Sequence, residues 1–206
     1  MDERIEKRRL LIMRWVRSTE LGWLLGIPLI IAFASIGEAL GIGGLQCLVG
    51  AGMGAGVGWM QARELRGHLE SPGRWALATL VALSLPFLVT DLLGLLGLRS
   101  LYSLGVCVIC GGLLVATAQS RTLRLDPPAH RHWIVANLLG WSGAALLVGL
   151  ADFVGRNRQP KGLLGAVLFL ALVGLGGIVL GLATGGSMAA IRERCRPTDG
   201  EVEHGR

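Results

Sequence analysis

Charge is what this 206-residue sequence has least of. Asp, Glu, Lys and Arg together make up only 17% of it, against about a quarter in an ordinary soluble domain. Too little polar surface is available to cover a water-soluble globule of this size. Catalytic signatures are missing too: there is no P-loop, no HExxH, no GxSxG and no paired catalytic carboxylate motif. The four histidines, His68, His130, His132 and His204, all fall outside the apolar stretches. No apolar segment therefore offers an axial imidazole to a haem, and no metal or other cofactor is expected. Strict apolar/polar alternation is likewise absent, which argues against a β-barrel.

What is present is apolar length. The chain is 52% apolar with a mean hydropathy of +0.58. Six windows carry almost no charge: Leu21 to Gly41, Gly43 to Gln61, Trp75 to Gly97, Leu101 to Gln119, Trp133 to Val154 and Gly162 to Ala190. At 1.5 Å per residue each can cross a hydrocarbon layer of about 30 Å. The expected fold is an all-α polytopic membrane bundle of six transmembrane helices. Ala32-Phe33-Ala34 has the look of a signal-peptide cleavage site. The first window is nonetheless read as a retained span, because it runs on to Gly41 and takes part in the repeat described below.

The net charge of +6 marks topology and not a nucleic-acid partner, which would require a basic face on a soluble domain. Sixteen of the twenty Lys and Arg residues precede the first window, follow the last, or lie in the second and fourth connections; Arg99, Arg156, Arg158 and Lys161 are on the other side. The positive-inside rule then puts both termini in the cytoplasm, in a cell (inner) membrane of bacterial type.

A shift of 58 positions lays Gln61, Arg63, Leu65 and Arg66 onto Gln119, Arg121, Leu123 and Arg124, and Trp75 onto Trp133. Trp15 with Leu21-Gly22-Trp23 has the spacing of Trp133 with Leu139-Gly140-Trp141. Three parallel two-helix units are expected at 15–74, 75–132 and 133–196, between a cytoplasmic segment 1–14 and a tail 197–206. Ala190-Ile191-Arg192 is the expected remnant of the motif in the third unit. The tryptophans are expected at the cytoplasmic interface with their indole N–H groups wetted, and the arginines among headgroup phosphates. Gly50, Gly52, Gly54, Gly56 and Gly58, with Gly174, Gly177, Gly181 and Gly185, predict that spans two, four and six form a close-packed inner set.

Three acids stand out within or near the spans: Glu38, Asp91 and Asp152, each late in an outward-going span. An ionisable group at such depth is costly, so these are candidates for a proton, cation or polar-substrate role, set against interfacial or paired structural carboxylates. Cys107 and Cys110 form a CxxC about two turns into the fourth span. Redox pairs of this type work at helix N-termini, so packing is the favoured reading over a thiol oxidoreductase.

A glycine-rich span ending in Q-x-R-x-L-R, a short polar loop and a Trp-led next span resemble a group of uncharacterised bacterial multi-pass membrane proteins of cyanobacterial and Chloroflexi-like genomes. Gly58, Gln61, Arg63, Leu65, Arg66 and Trp75 carry the likeness, with Gln119, Arg121, Leu123, Arg124 and Trp133; Ala62 and Ser120 replace the aromatic expected after Gln. The resemblance implies architecture and no activity. The leading functional reading is a non-enzymatic accessory or scaffold subunit, embedded in the bilayer beside a larger membrane protein or a second copy of itself. A small transporter or channel using the three acids is the first alternative. A membrane enzyme acting on lipid or quinone is the second.

Overall fold

The computed structural model describes residues 3–98, 104–157 and 162–194. Arg99, Arg158, Lys161, His204 and the tail 197–206 lie outside them. Six helices follow in order: α1 (Glu3–Ala39), α2 (Cys47–Glu64), α3 (Pro72–Leu95), α4 (Leu104–Thr122), α5 (Pro127–Asn157) and α6 (Gly162–Arg194), with no strand among the described residues. Their starts and stops follow local chemistry. Proline opens α3 (Pro72) and α5 (Pro127), where its missing N–H is not needed. Asp126 Oδ1 accepts the Ala129 N–H at 2.9 Å and caps α5. Beyond α4 the chain turns through Arg124 at φ 50°, a left-handed residue of the kind that ends helices. α1 runs unbroken through Ala32-Phe33-Ala34.

Five helices, all but α2, are long and apolar enough to cross a membrane. The chain is a multi-pass, all-α membrane protein. α2 falls short because its 18 residues include five glycines and end in Gln-Ala-Arg-Glu, which lowers its hydropathy, although at about 27 Å it is nearly as long as the hydrocarbon layer is thick.

Each helix packs on the next, and α6 returns to α1, so the six close into a ring. The expected inner set of α2, α4 and α6 is not what forms. Their glycines face the odd-numbered helices instead. On α2, a methyl on Gly56 would strike the backbone of Gly22 and Gly26 in α1, and one on Gly54 would sit 2.7 Å from Leu80 Cα in α3. Two glycine faces on one helix let two backbones approach at once, and that is why α2 sits wedged between α1 and α3.

The centre of the ring is filled in layers, each taking one residue from every odd helix. Trp15, Trp75 and Trp133 meet with ring centroids 6.0–6.3 Å apart, in edge-to-face or tilted geometry. Four residues further along lie Thr19, Thr79 and Asn137; eight further lie Trp23, Leu83 and Trp141. All nine are buried. The even helices run the other way and supply Leu65, Leu123 and Met188 beside the tryptophans, Gln61, Gln119 and Thr184 at the polar level, and Val57, Val115 and Leu180 beyond it. A spacing of four residues is about one helical turn, so each layer is one turn from the next.

Candidate functional site: a buried tryptophan layer and the cleft above it

The tryptophans are buried within the protein, and their N–H groups are not wetted as expected. Trp15, Trp75 and Trp133 are 1%, 0% and 1% exposed, and their N–H groups look for partners inside the protein, as buried indoles must. Trp15 Nε1 donates to Thr184 Oγ1 at 2.8 Å, joining α1 to α6. Trp75 Nε1 donates to Gln61 Oε1 at 3.3 Å, joining α3 to α2. Trp133 Nε1 is buried without a partner among the described residues. Gln61 also donates from Nε2 to Thr19 Oγ1 (3.1 Å), while Gln119 Nε2 reaches both Thr79 Oγ1 (3.0 Å) and Gln61 Oε1 (3.4 Å). The result is one connected polar layer through α1, α2, α3 and α4, one turn below the indoles.

The Q-x-R-x-L-R motif thus divides its work by helical position. Gln61 and Leu65, four apart, point inward and are buried; Arg63 and Arg66 are exposed, as are Arg121 and Arg124. Arg124 reaches Glu70 at 3.6 Å, with both side chains at least 80% exposed, a pairing worth little. On α6 the polar side chain that meets the indole layer is Thr184, and Ala190-Ile191-Arg192 lies further along the helix. Arg192 has a different task. Its side chain is 9% exposed, and its Nη2 and Nη1 donate to Glu64 O at 2.8 Å and Glu64 Oε1 at 3.4 Å. Arg14 reaches the same carboxylate at 3.3 Å. The Nε of Arg192 is buried without a partner among the described residues. This link ties α2 and α1 to α6 at the tryptophan end of the ring, and sequence spacing gave no sign of it.

Above the tryptophans, at that same end, lies a cleft of ≈ 460 Å³. Leu65, Leu123 and Met188 form its floor, and Arg4, Lys7, Arg8 and Arg192 line it together with Glu193. α1 extends about three turns past Trp15, and this extension forms one wall.

No family model, curated protein or solved structure matches the chain. Its chemistry must therefore be read from its own side chains.

The three acids at the opposite end do not form a site. Asp91 takes the Gln46 N–H on Oδ1 and the Cys47 N–H on Oδ2, both at 2.8 Å. These are among the donors that the start of α2 leaves unsatisfied, and Gln46 itself provides no side-chain cap. Asp91 of α3 is thus the N-terminal cap of α2, supplied from a neighbouring helix and favoured by that helix's dipole. Asp152 pairs with Arg156 one turn later, at 2.9 Å on an exposed face. Glu38 is exposed beside the turn at Gly43. No interaction links the three among the described residues.

Cys107 lies on α4. It is buried, whereas Cys110 is exposed, and both are free thiols. One acid was missed by sequence reading: Glu20 of α1 lies against Gly177 of α6, with Oε2 buried and unpartnered among the described residues. It sits just before the first apolar window, which is why counting charges within windows passed it over.

Proposed function

We propose that this protein is a non-enzymatic membrane scaffold or accessory subunit built from three copies of one helical hairpin. All six helices span, and the tryptophan end faces the cytoplasm of a bacterial-type inner membrane. The repetition of tryptophan, polar residue and apolar residue on α1, α3 and α5 supports the threefold reading, and the clustering of basic residues at the tryptophan end supports the orientation. The remaining apolar surface of the ring faces lipid or a partner: a larger membrane protein or another copy.

One observation carries the functional reading: the axis of the ring is filled. Three indoles and a hydrogen-bonded Gln/Thr layer occupy the place where a conduit would run. A pathway for polar solutes requires polar groups facing water-filled space within the membrane. Asp91, the carboxylate best placed for such a role, is engaged by two backbone N–H groups of α2. Both facts weigh against the transporter alternative and favour a rigid body whose business is with its surroundings.

The test is gentle extraction of the native protein into nanodiscs, followed by mass spectrometry of whatever remains bound, beside ion and solute flux through liposomes carrying the purified chain. The scaffold reading expects a stoichiometric protein partner or a defined homo-oligomer, and no flux. Flux that disappears in Asp91→Asn while the protein stays folded would overturn it.

A further inference from the structure

We infer that the cleft at the tryptophan end is a binding site for a phosphate group carrying an apolar substituent. The inference rests on the cleft alone and goes beyond the scaffold reading. Its walls and floor differ in a way that fits such a ligand. Lys7, Arg8 and Arg192 bring positive charge from α1 and α6. Lys7 has no ion pair among the described residues, and Arg8 has only a 4.0 Å contact with Glu193, both side chains being about half exposed. Arg192 is held in place by Glu64, with its Nε buried and unpartnered among the described residues. The guanidinium is therefore fixed before any ligand arrives, which reduces the entropy lost on binding.

The floor is apolar. Leu65, Leu123 and Met188 cover the tryptophan layer, so a ligand resting there meets hydrocarbon below and cations at the side. At ≈ 460 Å³ the cleft lies in the size range of small-molecule sites. Phosphate suits the walls because its oxygens accept several charge-assisted hydrogen bonds at once. A bare inorganic anion would leave the floor unused, so an ester with an apolar portion is the fitting class. Such a group comes either from a lipid headgroup at the adjoining membrane surface or from a soluble phosphate ester.

The experiment uses the full-length chain in phosphatidylcholine nanodiscs. Inorganic phosphate and phenyl phosphate are titrated by calorimetry, and thermal stability is compared in nanodiscs with and without phosphatidic acid. A soluble source predicts that phenyl phosphate binds once per chain and more tightly than inorganic phosphate. A lipid source predicts no such titration but a stability gain with phosphatidic acid. In either case Lys7→Gln and Arg192→Gln each weaken the response, by about tenfold in affinity for the soluble ester. Arg66→Gln, an exposed arginine outside the cleft, leaves it unchanged. Arg192→Gln also breaks the link to Glu64, so Lys7→Gln, which removes only an exposed side chain, decides the matter if the Arg192 variant fails to fold. The inference is overturned if neither ester nor phosphatidic acid acts on the wild-type protein, or if the response survives Lys7→Gln at full strength.

Discussion

Replacing Asp91 separates a cap from a transport carboxylate. In the structure both carboxylate oxygens accept backbone N–H groups at 2.8 Å, from Gln46 and Cys47. Removing the side chain in Asp91→Ala leaves two donors of the α2 start without partners at the membrane edge. Loss of a helix N-cap costs ~1 kcal/mol, and a hydrogen bond to a charged acceptor contributes about 1.5–3 kcal/mol. Water at this half-buried position replaces part of that loss, so ~2–3 kcal/mol is expected for Ala. Asp91→Asn keeps one carbonyl oxygen but sets an NH2 group against the second N–H, and should fall between wild type and Ala, at about 1–2 kcal/mol. The assay is thermal or denaturant unfolding of the purified variants in one detergent, with hydrogen exchange at Gln46 and Cys47 as the local readout. Exchange at these two amides should accelerate in both variants and most in Ala. Wild-type stability together with unchanged exchange in Asp91→Ala would refute the capping argument.

Two other substitutions probe the centre and the ring. Gln61→Leu removes the acceptor of Trp75 Nε1 and the partners of Thr19 and Gln119; because those groups remain buried, a loss of about 2–4 kcal/mol is expected in the same unfolding assay. Adding Gln119→Leu to it should then cost less than the sum of the two single changes, since the pair belongs to one network. Gly56→Leu places a branched side chain where the backbones of Gly22 and Gly26 already lie, so α1 and α2 cannot close; cysteine crosslinks introduced across that seam, efficient in the wild-type background, should fail in this variant.

The sequence made much of the fold legible and much less of its interior. Apolar windows placed every helix but one to within about two turns at each end, since the length needed to cross lipid is a coarse and reliable signal, whereas α1 begins at Glu3, far ahead of its window at Leu21. The tryptophan and glutamine spacings singled out side chains that do meet, but the burial of the indoles within the protein was not foreseen. Trp at the end of an apolar run reads as interfacial, and nothing in one sequence reveals that three such residues converge behind a longer α1. Glycine patterns announced close approach without naming the neighbour, so the even helices were expected to pack on one another when each in fact packs on two odd ones. The polar layer was half visible. Gln61 and Gln119 stood out by repetition, while Thr19, Thr79 and Thr184 are too common in type to attract notice. Contacts between distant segments were out of reach: Arg192 with Glu64 spans 128 positions, and Asp91 finds its partners in a turn more than 40 residues earlier.

The seam between α1 and α6 has a bearing on how the protein comes into being. Most of the packing in the ring joins helices adjacent in sequence, so each new helix can dock on the one before during synthesis, and the α1–α6 seam is the largest exception. The first helix must wait for the last. Until α6 enters the membrane, Trp15 lacks the Thr184 hydroxyl, Glu64 lacks Arg192, and Glu20 lacks the glycine surface against which it lies. Trp15 and Glu20 lie on α1 and Glu64 at the end of α2, so these groups stay without their α6 partners for as long as the remaining helices take to be made. Closure of the ring is therefore completed by α6, and a chain truncated before it leaves Trp15, Glu20 and Glu64 without these partners.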